Sequence, residues 1–525
     1  MCTQITLLTG GIHPANTVRS LRPEFAHWRS RLHFYLRFTA AGTPYQASDP
    51  AQTKVGKSRL FLLCSCLISS VLFAWGCGGA PSLASRALAS PATSSLVDNT
   101  SAAPNGTSSS TTANSSATGS TASTPSAPTS SVPSVLATAP AGAVSLLHFG
   151  NVGYGGDDTN IFQTAINYTA GNGQILEIPA GNYNINPVSF PNNANIFVDA
   201  GVTVTANSGY ADGQVMLSIK SSNVTIAGAD ATLSVFHMRK TEYTSGEQRH
   251  CLVVQNASNV TISGISCNDS GGDGLYLSYS TNVTVQDCIF NNNRRQGSSI
   301  TGGVNHILYL RDHFTNTNGT APQTGIDIEP NGPKDFLLDL KIQDCYTDGN
   351  AGDGIMVSTW LMNPTSQPID VTILRNHATG NGRYGYVGQN NDPSNAPGTI
   401  LIQDSFSDQS GSYGAAGYFY EATGAALIFQ NLTVTNPHMN GPAVYGDSAA
   451  VGVIRSGGYN VPEGNVHFLN LNVNVTNGRT DHYVNFQDGS GMTPSNVEFV
   501  PGNLSGATNV PPLALLQGAG MNSIP

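Results

Sequence analysis

Charged residues are scarce in this sequence. They make up 10% of its 525 residues, where about 25% is usual for a soluble protein. Glycine and proline are plentiful instead, with 57 and 29 copies. So little charge combined with so many turn-forming residues argues against a mainly helical protein and predicts a chain with many turns.

Basic residues are scarcest in the larger, C-terminal part of the chain. Residues 99–525 carry 13 Lys and Arg against 29 Asp and Glu, a net charge of −16, whereas residues 1–60 carry eight against two. A protein that binds nucleic acid needs a positive surface to neutralise phosphates. The acidic body therefore argues against a nucleic-acid partner.

Long apolar runs are also lacking, apart from "LFLLCSCLISSVLFAWGCGG" at 60–79. This run is short for a membrane span. It follows Lys57 and Arg59 and ends in small residues and Cys77, which resembles a bacterial lipoprotein signal with its lipidated cysteine. We predict a leader at 1–79 with a misplaced start codon, lipidation of Cys77 and export to the bacterial cell envelope. A plain secretory signal or a spanning anchor stays an alternative.

The segment 80–142 is built mainly of Ser, Thr, Ala, Pro and Gly, and residues 101–147 carry no charged side chain. Such a composition buries too little apolar surface to order the chain. We predict a flexible linker at 80–142 that separates the anchor from a folded domain at 143–525 with a loose C-terminal tail.

The cysteines of this domain lack the C-x-x-C spacing of a metal site. They are Cys251, Cys267, Cys288 and Cys345. Cys267 and Cys288 occupy equivalent places in the repeat described next, so we interpret them as stacked buried thiols. A disulfide formed after export is the alternative.

Two short phrases recur along the domain. The first, with members such as "VQDCIF" and "IQDCYT", places an acid or amide at 287, 312, 344, 376, 404 and 431. The second is a glycine that opens an apolar strand, at Gly274, Gly297, Gly325, Gly354, Gly385 and Gly417. This period predicts a parallel β-helix, in which each coil adds one rung to several long sheets. A β-sandwich would not show this regular repeat, and a propeller would show longer repeats of four strands each.

The segment 150–185, "GNVGYGGDDTNIFQTAINYTAGNGQILEIPAGNYNI", precedes the coils. Asp158 is placed to cap a helix with an apolar face of Ile161, Phe162, Ala165 and Ile166. We expect this helix to plug the open end of the stack.

Its glycine- and aspartate-rich start, short helix and "IPAG-Y" strand resemble the pectate-lyase superfamily: polygalacturonase-like and rhamnogalacturonase-like β-helices, some alginate epimerases and phage tailspikes. The resemblance covers roughly residues 146–470. It implies an all-β, single-stranded right-handed parallel β-helix with a short N-terminal capping helix. It does not fix the activity, because this fold carries hydrolases, lyases, epimerases and binding proteins.

The phrase "TGIDIEPNG" at 324–332 holds two candidate catalytic acids. Side chains alternate along a strand, so Ile326 and Ile328 should face the core while Asp327 and Glu329 leave the outer face together. Their Cα atoms should be about 6.5 to 7 Å apart, which suits the ~6.5–9.5 Å carboxyl separation of an inverting glycosidase. We expect both acids to be exposed, and Asp353 in "GDGI" is the third catalytic candidate. The alternative is that these are solvated acids.

Other polar and aromatic residues share the predicted outer face. Asp273, Tyr276 and Tyr384 are candidate substrate-binding residues, and Phe419 and Glu421 fall in the same rows, two and four residues after Gly417. Arg294 and Arg295 could bind a uronate carboxylate or, in a lyase-like mechanism, lie near the abstracted proton while acids hold calcium. A charge-balancing role beside Asp327 or Glu329 is the alternative. An insertion, "FHMRKTEYTSGEQRH", could form a wall of the cleft.

Two function classes follow. The first is an extracytoplasmic carbohydrate-active enzyme that cleaves glycosidic bonds of a polysaccharide by acid/base hydrolysis or by elimination. The second is a lipid-anchored, non-catalytic β-helix that binds glycan or cell-wall material. Acids beside arginines on an aromatic face favour the first class. The sequence does not separate hydrolase, lyase and epimerase, and calcium is expected only for a lyase-like mechanism.

Overall fold

The structure is a computed structural model that describes residues 136–390, 396–440, 449–455, 463–488 and 495–507. The predicted leader with Cys77, and residues 80–135 of the predicted linker, lie outside the described residues. The signal, the lipid anchor and the export therefore stay predictions. In the described part of the chain, no helix combines the length and the apolar character needed to cross a membrane.

Short strands are the main secondary structure of the described chain. One α-helix, α1 (Thr159–Gly171), and two 3-10 turns, Leu146–Phe149 and Lys240–Glu242, accompany them. In chain order the strands are β1 (Val144–Ser145), β2 (Ile175–Ile178), β3 (Gly181–Ile185), β4 (Val188–Phe190), β5 (Asn195–Val198), β6 (Val202–Ala206), β7 (Leu217–Ile219), β8 (Val224–Gly228), β9 (Ser234–His237), β10 (Leu252–Gln255), β11 (Ser258–Ser263), β12 (Ser266–Asn268), β13 (Asp273–Ser278), β14 (Thr281–Gln286), β15 (Ile289–Asn291), β16 (Gln296–Thr301), β17 (Val304–Leu310), β18 (His313–Thr315), β19 (Thr324–Ile328), β20 (Leu337–Gln343), β21 (Tyr346–Asp348), β22 (Ile355–Ser358), β23 (Ile369–Leu374), β24 (His377–Thr379), β25 (Tyr386–Gln389), β26 (Gly398–Gln403), β27 (Phe406–Asp408), β28 (Ala415–Tyr418), β29 (Ala426–Gln430), β30 (Thr433–Thr435), β31 (Ala449–Arg455), β32 (Gly464–Asn474), β33 (His482–Asp488) and β34 (Ser495–Ser505).

Each strand pairs in parallel with its counterpart in the next coil. Thus β13 pairs with β10 and β16, β14 with β11 and β17, and β15 with β12 and β18. An 11-stranded sheet contains β4, β7, β10, β13, β16, β19, β22, β25, β28, β31 and β33, and the other 23 strands form the remaining faces. The predicted right-handed parallel β-helix with a short N-terminal helix is confirmed.

The core lies inside the coils, where apolar side chains of successive rungs stack. Ile326 and Ile328 are fully buried, as the alternation in "TGIDI" predicts. Phe290 and Phe314 stack with ring centroids 5.0 Å apart, and Phe429 and Phe468 stack at the same spacing. This spacing is close to the distance between neighbouring strands, so the coil repeat places equivalent side chains of successive coils on top of one another.

Helix α1 packs its apolar face on the first coils, and Phe162, Ala165 and Ile166 are buried. The Asp158 side chain makes no capping hydrogen bond. It accepts hydrogen bonds from the N–H groups of Gly153 (3.1 Å) and Asn184 (3.0 Å) instead. Asp158 therefore ties the start of the helix to β3, and the expectation of a side-chain cap is wrong.

The register corrects the alignment of the first repeated phrase. Gln286 pairs with Leu310, and Leu310 pairs with Gln343. Arg311, not Asp312, therefore lies opposite Asp287. A shift of one residue moves a side chain to the other face of a strand, so Asp312 and Asn376 point inward and are fully buried. The sequence alignment had mixed an outer row and an inner row.

All four cysteines of the domain are free and buried, as the thiol interpretation predicts. The stated equivalence of Cys267 and Cys288 is wrong, however. Ser266 pairs with Ile289, so Cys267 lies in the same row as Phe290. Burial raises the pKa of both thiols well above the ordinary value, which suits an apolar packing role.

Candidate functional site

The outer face of the 11-stranded sheet carries three rows of side chains. The edge row precedes each repeated glycine, the middle row lies two residues after it and the far row four residues after it. The edge row contains His250, Asp273, Gln296, Thr324, Asp353, Tyr384 and Tyr413. The middle row contains Val253, Tyr276, Ser299, Asp327, Met356, Val387 and Ala416.

The last coil enters these rows three residues earlier than the sequence alignment placed it. Gly388 pairs with Gly417, so Gly414 lies opposite Gly385. Two glycines stand three residues apart in "GAAGYFY", and the alignment used the second. Phe419 and Glu421 therefore do not continue the predicted rows.

The acids of this face are more buried than expected. Asp327 is 1% exposed, and Asp273 and Asp353 are fully buried. Only Glu329, which follows the end of β19, is half-buried. The expectation that the "GIDIEPNG" acids are both exposed is wrong for Asp327, because neighbouring coils bring polar side chains over it.

Several of these residues form one group, which we call the Arg295 cluster: His250, Asp273, Arg295, Gln296, Ser299 and Asp327. Arg295 Nη1 lies 3.4 Å from Asp273 Oδ2 and donates a hydrogen bond to Gln296 Oε1 at 3.1 Å. Gln296 Nε2 donates in turn to Asp327 Oδ2. Ser299 Oγ donates to Asp273 Oδ2 at 2.7 Å. Two carboxylates that lie two coils apart, on β13 and β19, are thus linked through one guanidinium and one amide of the coil between them.

The charge around Arg295 is strongly negative. Burial lowers the pKa of this guanidinium, but the carboxylates of Asp273, Asp327, Glu247 and Glu329 outweigh burial and raise it. Four acids therefore act electrostatically on one buried cation. Opposite charges near a buried group are what permit it to stay charged.

His250 contributes a neutral ring to the cluster. The backbone N–H of Asp273 donates to its Nδ1 at 3.0 Å, and its Nε2 lies 3.2 Å from Gln248 Oε1. A ring that accepts at Nδ1 and donates at Nε2 is unprotonated at Nδ1. Burial lowers the pKa of His250, in agreement with that tautomer. The ring stacks on Tyr276 with centroids 5.0 Å apart.

The predicted insertion lies beside this cluster. Glu247 Oε2 is 3.3 Å from Arg295 Nε, and its side chain is 41% exposed. The Tyr243 ring packs against Gly271, and the guanidinium of Arg249 lies 5.2 Å above that ring. Sequence reasoning placed the insertion at the cleft but missed Glu247. The signal was its charge, since five of the fifteen residues in "FHMRKTEYTSGEQRH" are charged in a chain that has 10%.

The structure separates other predicted site residues from the cluster. Arg294 turns away from Arg295, since its Nε donates to Thr320 Oγ1 at 2.9 Å. Asp353 is three rungs from Asp273, about 14 Å along the stack, and lies in the edge row one coil beyond Asp327. It pairs with Arg383 and accepts the Tyr384 N–H at 3.1 Å. Tyr384 packs against Tyr413 and Tyr418, each at 6.1 Å.

A calcium ion would need several carboxylates directed at one point. Here Asp273 faces Arg295 and Ser299, whereas Asp353 faces Arg383. Among the described residues, no group of three His, Cys, Asp or Glu side chains is arranged to hold a metal ion. The side chains present therefore do not fit the calcium site that a lyase-like mechanism would use.

Comparison with known proteins supports the fold. The family model for the "Right handed beta helix region" matches residues 179–333. Protein YclG of Bacillus subtilis is 29% identical over 217 residues, which are 37% of this chain and 30% of that protein. The chain therefore spans less than a third of the curated relative it matches.

Two solved structures show the same architecture. The A-module of mannuronan C-5 epimerase AlgE4 from Azotobacter vinelandii has a TM-score of 0.53 at 13% identity, covering 70% of this chain and 99% of that chain. A tailspike double mutant of E. coli bacteriophage HK620, in complex with a pentasaccharide, has a TM-score of 0.50 at 12% identity, covering 70% and 67%. At these identities the likeness shows the fold alone, and that fold is the right-handed parallel β-helix that the resemblance of residues 150–185 implied.

Proposed function

We propose that the outer face of the 11-stranded sheet binds a polysaccharide and that acids beside Arg295 cleave a glycosidic bond in it. The observation that carries this proposal is the arrangement around the buried Arg295 guanidinium, which lies 3.4 Å from Asp273 Oδ2 and is linked to Asp327 through Gln296. Clusters of this kind are more typical of functional sites than of surfaces built for stability alone. By their names, the two similar structures act on mannuronan or bind a pentasaccharide, which agrees with a carbohydrate partner.

Asp327 and Glu329 are the proposed acid and base. Both leave the same face at the end of β19, and their Cα separation of about 6.5 to 7 Å leaves room for a water molecule in hydrolysis. Gln296 fixes the Asp327 carboxylate by a hydrogen bond. Glu329, the more accessible of the two, would exchange protons with the substrate or the attacking water. Asp273 would position Arg295 without contacting substrate.

The charge of the site favours a neutral sugar over a uronate. Arg295 is already compensated by Asp273, with Asp327, Glu247 and Glu329 also acting on it. A substrate carboxylate placed there would meet a net negative field and be repelled. The sequence-based idea that Arg294 and Arg295 hold a uronate is therefore less favoured than a balancing role for Arg295.

A second candidate function is glycan binding without cleavage. The observation in its favour is burial, because Asp327 is 1% exposed and a substrate must reach a catalytic carboxyl directly. Tyr276, half-buried beside Thr301, would then contribute to binding alone.

One experiment separates these functions. The full-length protein is incubated with neutral polysaccharides (dextran, xylan and galactomannan) and acidic ones (polygalacturonate and alginate). New reducing ends are measured together with the ultraviolet absorbance of unsaturated ends. We expect new reducing ends from a neutral substrate and no unsaturated ends, because β-elimination requires the carboxyl group of a uronate. Retardation in a polysaccharide gel without any new ends would support the binding function, and neither signal would contradict both.

A further inference from the structure

An open groove of about 420 Å³ lies where the strands of the 11-stranded sheet end and the next strands begin. It is lined by Tyr279, Ser280, Thr281, Gly303, Asn305, Phe336 and Leu338, none of them charged. It starts one residue beyond Ser278, the last residue of β13. The groove is therefore separate from the Arg295 cluster but adjoins the same face.

Three successive coils build the groove in register. Thr281 pairs with Asn305, and Asn305 pairs with Leu338. Two positions earlier in the same coils are Tyr279, Gly303 and Phe336. A glycine therefore stands between two aromatic residues in neighbouring rungs, and a second glycine, Gly302, precedes it.

Both rings lie flat on this glycine pair. A methyl group built on Gly302 would be 2.7 Å from Cζ of Tyr279 and 2.9 Å from each flanking ring carbon. One built on Gly303 would be 2.6, 2.8 and 2.9 Å from three successive carbons of Phe336. Nearly equal distances to three successive ring atoms occur only above the plane of a ring. Each aromatic ring thus rests one face on glycine backbone and turns its other face away from it.

The Tyr279 ring is held in this position. Its backbone has a φ of 47°, a left-handed value that a bulky residue seldom adopts. Burial, followed by the charge and hydrogen bond of Asp335, raises the pKa of its hydroxyl. Asp335 is buried and directly precedes Phe336. The Asp335 side chain therefore anchors the Tyr279 hydroxyl, although Tyr279 stays 49% exposed, and Phe336 follows Asp335 in the same loop.

Fixed aromatic faces beside hydroxyl and amide groups are suited to sugar rings, which have an apolar C–H face and a polar rim. Thr281 and Asn305 supply the polar groups. We propose that the Tyr279–Phe336 groove is a subsite for a neutral sugar unit of the polysaccharide bound at the Arg295 cluster. This inference rests on the proposed function.

The two sites are continuous along the strands. Strand β13 carries Asp273 and Tyr276 and leads directly to Tyr279, a distance of about 20 Å for six residues. The neighbouring strand, β16, leads to Gly302 in the same way, and Thr301 Oγ1 donates to the Tyr276 hydroxyl at 2.8 Å. A glycan that follows the strand direction from the acids would reach the groove.

The test is a binding measurement on the full-length protein by gel electrophoresis in dextran, xylan or galactomannan. We expect Tyr279→Ala to weaken binding about 3- to 10-fold, the usual effect of losing one aromatic contact. Tyr279→Leu, which keeps bulk without a flat face, should weaken it similarly. Tyr168→Ala is the matched control, because Tyr168 is 53% exposed on helix α1. On a cleaved substrate, Tyr279→Ala should raise KM and leave kcat nearly unchanged.

The outcomes separate the two proposals. If the wild-type protein neither cleaves any of the three polysaccharides nor is retarded by them, the proposed function is wrong and the subsite is wrong with it. If wild type, Tyr168→Ala and both Tyr279 variants are retarded equally, the subsite is wrong while the proposed function stands.

Discussion

Two Asp–Arg pairs occupy equivalent places on the 11-stranded sheet, three coils apart. Asp273 and Asp353 share the edge row, and Arg295 and Arg383 each precede the edge residue of the following coil. The backbone N–H of Arg295 donates to Gly272 O, and that of Arg383 to Gly352 O, both at 3.0 Å. The two pairs therefore have the same backbone setting.

Their surroundings differ. The Arg295 side chain is 8% exposed, and Asp327 approaches it from the next coils. Arg383 is 45% exposed and has Tyr384 beside it, with Met356 and Val387 in the middle row. The β-helix backbone thus offers the same position repeatedly, and the side chains of adjacent coils decide whether it becomes a polar site or an apolar surface.

Replacing each arginine by methionine should give the largest difference in unfolding free energy between the two sites. Arg295→Met leaves the Asp273 carboxylate buried without its cation, which typically costs about 3–5 kcal/mol. Arg383→Met should cost less, because Arg383 is half exposed and pairs with Asp353, whereas Arg295 compensates Asp327, Glu247 and Glu329 in addition to Asp273. Urea unfolding of both variants measures the difference. Equal losses would show that the two environments are energetically alike.

The second prediction concerns turnover on a substrate found in the panel. Asp327→Asn and Glu329→Gln should each lower kcat by about two orders of magnitude or more, the usual contribution of general acid–base catalysis. Glu329→Gln should change the melting temperature little, because Glu329 is half-buried, whereas Asp327→Asn alters a buried side chain that accepts a hydrogen bond from Gln296 and should lower the melting temperature. Asp353→Asn is the matched control and should keep most activity, since Asp353 lies in the edge row of the coil beyond Asp327 and pairs with Arg383 instead of Arg295.

Two results would contradict this assignment. Full activity in both isosteric variants would remove Asp327 and Glu329 from the chemistry. Loss of activity in Asp353→Asn alone would move the reaction to the Arg383 pair.

The sequence predicted the fold well, because a coil period with glycine-opened strands is a property of the chain itself. It predicted the face of Asp327 correctly for the same reason. The alignment of the repeats failed where either of two neighbouring residues matched the repeated phrase, as with Arg311 and Asp312. It also failed where either of two glycines could open the strand, as with Gly414 and Gly417. Burial of Asp327 also escaped prediction, because it depends on Gln296 and Arg295 in a different coil.

Asp312 is a buried acid in the interior of the coils, whereas Asp273 and Asp353 pair with arginines on the outer face. Burial raises its pKa well above the ordinary value, against the hydrogen bonds it accepts from backbone N–H groups. Asn376 holds the same row two coils on, accepting the Cys345 N–H at 2.7 Å as Asp312 accepts the Cys288 N–H at 2.8 Å. Asp312→Asn should therefore stabilise the protein at pH 7 by about 1–3 kcal/mol.

The pH dependence of this gain follows from the sign of the shift. A carboxyl with a raised pKa binds its proton more tightly in the folded state than in the unfolded state. Below the unfolded pKa of about 3.9 it is protonated in both states, and as the pH rises above that value the folded state is destabilised relative to the unfolded state. The gain from Asp312→Asn should vanish below about pH 4 and grow toward neutral pH. Urea midpoints at several pH values test it, and a gain independent of pH would contradict the titration of Asp312.

The smallest effect is expected for an exposed pair. Arg311 Nε lies 2.7 Å from Asp287 Oδ1, and the side chains are 50% and 46% exposed. Exposed ion pairs typically contribute about 0.2–1 kcal/mol, because water screens the charges and two long side chains lose freedom. Arg311→Gln should therefore lower the unfolding free energy by less than about 1 kcal/mol, and high salt should reduce the difference further. The Arg295→Met loss should persist in the same salt, since buried charges are screened much less. If both losses disappeared together in salt, the Arg295 cluster would behave as a surface pair, and the contrast between buried and exposed positions on which its proposed role depends would be wrong.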